Sequence, residues 1–279
     1  MQDPYRFEMH GTAFEGGDRV DKLAVGLSGL QHIFDGNYRA LTGKKRISEL
    51  DRERYQVRVT GYKEGSFIAG LGAVYTGLQA VLPLTADPLQ IWEHTKNGFD
   101  FLKFVYDLAH AGKQPTIQQN GDGNVAVVAG DTYNTYNGTV YQVGTQIIGG
   151  VRELDNLLGV PAVSRIALLG PKNNPIFELN AADKGRFFPP ANIDESPVHL
   201  VCDIFDFNKY ENVGRARVAP DQAVLQGNYR FRNIGDQEVE DFILSMTEKQ
   251  VRLHCLVKYV HDPLSDSKID ELLVIKVDA

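Results

Sequence analysis

Toward the C-terminus, runs of alternating side chains are interrupted once by a helix, and that order constrains the fold more than anything else in the chain. Val198, Leu200, Cys202 and Ile204 alternate with His199, Val201, Asp203 and Phe205, the period of a half-buried strand. Val213 to Val218 and Asn228 to Asn233 give two more strands. Val239, Phe242, Ile243 and Met246 then mark a helix, with Glu238, Glu240 and Asp241 in its first turn and Lys249 in its last, as the helix dipole favours. Val251, Leu253, Cys255, Val257 and Tyr259 make a fourth strand, and Leu273, Ile275 and Val277 a fifth.

Three strands, a helix and two strands resemble the OB fold, whose helix sits between strands three and four. The resemblance rests on element order, not on a residue signature, and another small β-barrel would share it. In such a barrel Gly214, Ala216 and Val218 point inward on the second strand, and Tyr229 and Phe231 on the third. Arg215, Arg217, Arg230 and Arg232 are left on the outer surface, where OB folds commonly bind oligonucleotides. Guanidinium groups can pair with phosphate or stack on bases. Against this, arginine is ordinary at exposed strand positions, and the aromatics alternate out of phase with the arginines. Residues 197–279 also carry 10 basic against 14 acidic side chains. The balance favours a protein–protein surface, with single-stranded nucleic acid as the alternative.

The rest of the chain predicts an α+β protein with a mixed N-terminal region and long helices. Tyr5 to Met9 reads as a strand. A helix capped by Asp18 follows, with Val20, Leu23, Ala24, Leu27, Leu30, Phe34, Tyr38 and Leu41 on one stripe and Gly43 ending it. Arg39, Lys44, Lys45, Arg46, Arg52, Arg54, Arg58 and Lys63 are expected on a solvated loop and the strand after it, Tyr55 to Val59. Residues 65–86 contain no charge over 22 positions, close to the ~20 a membrane-spanning helix needs. Gln79, Pro83 and the internal glycines favour a buried core helix capped by Ser66, with a membrane-active segment as the alternative. Asp87-Pro88 opens a helix that is apolar on more than one face. Trp92, Phe99, Phe101 and Phe104 are therefore candidates for an oligomer interface.

Residues 114–190 are expected as a β-rich middle segment. Its strands are read at Val125–Val128, Thr139–Val143, Arg165–Leu169 and Ile176–Leu179, with a short helix over Ile147–Leu158. The expected domains are thus 1–113, 114–190 and 197–279, with a boundary at Pro189-Pro190. The chain has 279 residues and a net charge of -7, with no third of it carrying the positive excess of a protein that coats nucleic acid. The start lacks a basic region followed by an apolar core, so the expected location is the cytoplasm.

Gly26-Leu27-Ser28-Gly29-Leu30 falls inside a predicted helix and lacks the spacing of a nucleophile elbow. Gly70-Leu71-Gly72 is followed by Gly77, too late for a dinucleotide loop. The seven histidines include no pair at metal-ligand spacing. Cys202 and Cys255 read as small buried apolar groups, not as a disulfide or thiolate centre. No cofactor, metal site or catalytic residue is expected, and nothing argues for an enzyme.

Tyr55-Gln56-Val57-Arg58-Val59 leading to Glu64-Gly65-Ser66-Phe67 and an apolar stretch is similar to uncharacterised prokaryotic proteins found near mobile-element or antiphage-defence genes. The similarity covers about the first third and transfers no site residues. It implies an accessory or sensing subunit and no mechanism. The function expected from the sequence is a non-catalytic binding or scaffold subunit, working through a protein partner or as a homo-oligomer.

Overall fold

The structure, a computed structural model, describes residues 5–63, 67–75, 90–119, 124–248 and 250–278. It divides into two compact units, Met1–Phe188 and Pro189–Ala279.

The first unit is built on an antiparallel sheet in the order β2-β3-β1-β7-β8. Its strands are β1 (Tyr5–His10), β2 (Tyr55–Lys63), β3 (Phe67–Tyr75), β7 (Arg165–Leu169) and β8 (Pro175–Asn180). The helices are α1 (Val20–Thr42), the short α2 (Glu49–Arg54), α3 (Gln90–His110) and α4 (Gly138–Leu157). Between α3 and α4 lies a small antiparallel meander, β4 (Thr116–Gln119), β5 (Val125–Ala129) and β6 (Thr132–Tyr136). Glycine sets how closely the helices cross. A Cβ on Gly36 of α1 would lie 2.5 Å from the Gln146 carbonyl oxygen, and one on Gly150 of α4 would lie 2.5 Å from that of Gly29. No side chain fits at such distances, so the two helix backbones touch.

Four expectations are corrected here. The helix read over 65–86 is, through its first part, strand β3, pairing with β1 on one side and β2 on the other. Phe67, Ala69 and Leu71 are buried at period two, and a strand paired on both edges and packed on the core needs no charge. Gly65 and the expected Ser66 cap, residues 76–86, and the Asp87-Pro88 cap lie outside the described residues. Thr139–Val143 is the opening of α4, not a strand. Val140, Val143, Ile147, Val151 and Leu154 form one buried helical stripe, and its β-branched members imitate a strand over five residues. Residues 114–190 are not a separate segment, since β7 pairs with β1 and completes the N-terminal sheet.

The fourth correction concerns α3. Trp92 stacks on Tyr5 with ring centroids 3.9 Å apart and meets Phe34 edge-on at 5.0 Å. Phe99 lies against Phe177 and Phe187, and Phe101 against Tyr136 and Tyr141. Phe104 is half-buried beside Tyr136. The additional apolar face of α3 is thus packed against β6, β8 and the turn containing Phe187, and Trp92, Phe99 and Phe101 are core residues of the unit. The basic loop also changes character. Ser48 and Asp51 form a capping box that starts α2, Lys44 pairs with Asp51, and Arg52 pairs with Asp35.

The second unit contains β9 (Ala191–Ile193), β10 (Val198–Asn208), β11 (Val213–Val218), β12 (Gly227–Asn233), α5 (Val239–Ser245), β13 (Val251–Val260) and β14 (Lys268–Asp278). Five strands close a barrel in the cyclic order β10-β11-β12-β14-β13, with β13 pairing back to β10. The β12–β14 pair is parallel and the other four are antiparallel. Leu200, Cys202, Ile204, Ala216, Val218, Phe231, Leu253 and Cys255 fill the interior together with Leu272, Val274 and Val277. Phe242 of α5 enters this core and stacks on Phe207 at 5.0 Å. Gly214 is required beneath Phe231, because a Cβ there would lie 2.5 Å from that ring.

Candidate functional site

The outer face of β10, β11, β12 and β14 gathers the arginines singled out in the sequence. Arg215 and Arg217 on β11 and Arg230 on β12 are exposed, and Arg232 is half-buried at the end of the row. Strand register sets their neighbours. Arg215 stands directly between Asp206 on β10 and Arg230 on β12, while Arg217 stands between Asp203 and Asn228. Arg217 Nε donates to Asn228 Oδ1 at 3.2 Å, and Arg215 Nε lies 4.0 Å from Asp206 Oδ2.

A β-bulge on β10 shapes one edge of the face. Ile204 pairs with Ala216 and Asp206 with Arg215, so Phe205 is the extra residue. Phe205 and Asp206 therefore both point outward, and Phe207 returns to the core against Phe231. Phe205 remains 41% exposed, with the Arg217 guanidinium carbon 5.9 Å from its ring centre. The loop that follows carries Tyr210, which is 87% exposed, with the Lys209 ammonium 5.2 Å from its ring centre.

Glu271 on β14 lies beneath two of the arginines. Its Oε1 is 3.4 Å from Arg230 Nε and 3.3 Å from Arg232 Nε, and its side chain is 9% exposed against 59% and 43% for those arginines. Among the described residues, none donates a hydrogen bond to that Oε1. The face is layered in charge: a buried carboxylate beneath, guanidinium groups above it, and Asp203 and Asp206 along one side.

Sequence reasoning located the arginines but missed Glu271, Phe205 and Asp206 as their partners. The alternation of β10 did place Phe205 outside; the bulge that also turns Asp206 outward gives no local signal. Glu271 was hidden by a second register shift. His254 pairs with Lys276 but Cys255 with Val274, leaving Ile275 unpaired. The inward residues of β14 are consequently Leu272, Val274 and Val277, not the alternating set Leu273, Ile275 and Val277.

Other chemistry-bearing side chains fall elsewhere. Cys202 and Cys255 are free and buried in the barrel, and burial pushes their thiols up to about 12 and about 11, so both stay protonated. His199 and His254, facing each other across β10 and β13, stack with ring centroids 4.5 Å apart. Among the described residues, no group of three or more histidine, cysteine or acidic side chains is placed to hold a metal ion, and no helix is long and apolar enough to cross a membrane. The fold and surface define an α+β protein with a closed barrel carrying an arginine-lined outer face. No family model, curated protein or solved structure matches the chain.

Proposed function

We propose that the barrel is OB-like and that its β10–β11–β12 face recognises a protein partner, making the chain a recognition subunit of a multi-protein assembly. Three features support the OB-like reading: the cyclic strand order, the parallel pairing of the third and fifth strands, and a helix between the third and fourth. In that architecture, ligands commonly meet the second and third strands and the loop joining the first two. Here those are β11, β12 and the loop bearing Tyr210.

The layered charge is the observation that carries the protein reading. Four guanidinium groups give the face many donors, while Asp203, Asp206 and Glu271 leave it almost without net charge. A polyanion is drawn mainly by net positive charge and counterion release, which this face offers weakly. Exposed aromatics beside arginine are what protein-binding hot spots are enriched in. The proposed setting is a prokaryotic assembly of the antiphage-defence kind, following the similarity of the N-terminal third.

Affinity purification from the native host, with cross-linking and light scattering, tests this reading. The wild-type chain is expected to bring down a defined partner in fixed stoichiometry, or to self-associate. Arg215→Ala with Arg217→Ala is expected to lose the complex at an unchanged melting temperature. A strictly monomeric chain without a partner, or a double variant that assembles normally, rules it out.

One observation favours a second reading, binding of single-stranded nucleic acid: the Arg217 guanidinium beside the exposed Phe205 ring makes a stacking platform. This reading requires a salt-sensitive anisotropy change with oligothymidylate that Arg215→Glu plus Arg230→Glu abolishes. Absence of any change at low salt ends it.

A further inference from the structure

We infer that Arg215, Arg230 and Arg232 form a receptor for carboxylate side chains in an acidic segment of the partner, and that Glu271 is the residue positioning two of the three. The inference rests on the protein-recognition reading and adds the chemistry of the partner to it.

The arginines crowd one another. Arg215 and Arg230 are directly opposite on neighbouring strands, where like charges destabilise a sheet, and Arg232 lies on the same face two residues along. Asp206, at 4.0 Å from Arg215, and Glu271, at 3.4 Å from Arg230 and 3.3 Å from Arg232, offset this in part. Glu271 lies under two of these arginines. It is 7% exposed, and its Oε1 accepts no hydrogen bond from the described residues although two guanidinium groups lie beside it. A buried carboxylate oxygen left in that state is costly unless it serves another purpose.

The geometry of the contact suggests that purpose. In both pairs the nitrogen facing Glu271 is Nε, the one nearest the aliphatic stem. Attraction at Nε acts on the base of each guanidinium group, and its terminal nitrogens are not the ones nearest Glu271. A guanidinium group has five N–H donors in a fixed plane, and its terminal edge matches the two oxygens of a carboxylate. The receptor is thus two partly oriented forks, with Arg215 beside them as a third donor group. The near-neutral surroundings favour a short acidic segment read at close range over a long polyanion. Phe205 and Tyr210 stand ready for apolar residues flanking the acids.

The test uses the full chain and fluorescein-labelled hexaglutamate, with hexalysine and an oligothymidylate of equal charge as comparisons, at low ionic strength. Saturable binding of hexaglutamate and none of hexalysine is expected. Arg230→Gln is expected to weaken binding by about tenfold, the scale of one charge-assisted hydrogen-bond pair. Glu271→Gln is the decisive variant because it removes a negative charge from beneath the anion site. If Glu271 acts through charge alone, the variant binds hexaglutamate more tightly; if Glu271 positions the forks, it binds more weakly. Weaker binding, together with shifted Nε–H resonances of Arg230 and Arg232, supports the inference, and tighter binding overturns it. Should Glu271→Gln fail to fold, Arg230→Gln and Arg232→Gln carry the test, and equal binding by both and the wild type overturns it. Failure of the wild type to bind hexaglutamate, or a preference for oligothymidylate, also overturns it. Partner recovery through Arg215 and Arg217 is measured separately, so the protein-recognition reading stands or falls on its own result.

Discussion

Asp51 in α2 and Asp155 near the end of α4 are both buried in the N-terminal unit. Lys44 pairs with Asp51, the Ser48 backbone N–H and hydroxyl donate to it at 2.9 and 2.7 Å, and the Tyr38 hydroxyl donates at 2.8 Å. These partners, Lys44 foremost, hold its carboxyl well below the usual range. Tyr38, buried and bonded to Asp51, is pushed up to about 12 and so keeps its proton to donate. Asp155 accepts from the Gly185 and Phe187 backbone N–H groups at 2.9 and 3.3 Å, but burial outweighs them and raises its carboxyl above 3.8. The two signs therefore differ. Asp51, depressed in the fold, stabilises above its unfolded value of 3.8 and loses that contribution as pH falls below it. Asp155, raised in the fold, contributes fully below 3.8 and loses that contribution as pH rises through its folded value. Asp51→Asn is expected to cost about 2 kcal/mol at neutral pH, the scale of a charged hydrogen bond, with the deficit shrinking in acid. Asp155→Asn is expected to gain on the wild type as pH rises above 3.8, whatever its offset. Urea midpoints measured across pH check both, and profiles parallel to the wild type would refute the assignment.

At the scale of elements, the crossing of α1 and α4 offers a matched pair of substitutions one residue apart. Gly150 faces α1, where an added Cβ would strike the Gly29 oxygen and Ile33, whereas Gly149 has nothing within 4 Å. Gly150→Ala is expected to destabilise by at least ~2 kcal/mol through overpacking. Gly149→Ala is expected to stabilise by ~0.5–1 kcal/mol, because alanine costs less chain entropy in a helix. Equal melting temperatures for the two variants would contradict the close crossing. On α1 only Leu30, Phe34 and Tyr38 of the expected stripe are buried, while Val20 is exposed and the face packed on α4 is carried by Gly26, Gly29, Ile33 and Gly36. The stripe of the later part of α4 was legible in sequence, since leucine and isoleucine recur at helical steps over many residues. The start of α4 and strand β3 were not. Val140 and Val143 fit a strand as well as a helix over so short a run. In residues 67–75 the glycines and alanines carry too little hydropathy contrast to reveal a period. Only burial against other elements separates the alternatives.

For the whole molecule, the division at Phe188/Pro189 leaves a barrel whose ring of strands and apolar core lie entirely within Pro189–Ala279. A fragment of residues 189–279 is expected to melt cooperatively by circular dichroism, with a near-ultraviolet signal from its packed phenylalanines and tyrosines. A gradual, uncooperative melt would mean that the barrel depends on the first unit. The sequence by itself determined the order of the barrel's elements, the inward and outward phases of β11 and β12, and so the common outer face of the four arginines. Those are properties of short windows, where alternation and turn residues act locally. The tertiary structure alone decided what those arginines meet. The parallel pairing of β12 with β14 brings Glu271 under Arg230 and Arg232, and the bulge at Phe205 turns an aromatic ring and a carboxylate out together. Strands some forty residues apart are selected as partners by closing the ring and burying the whole core at once. No local pattern encodes that choice.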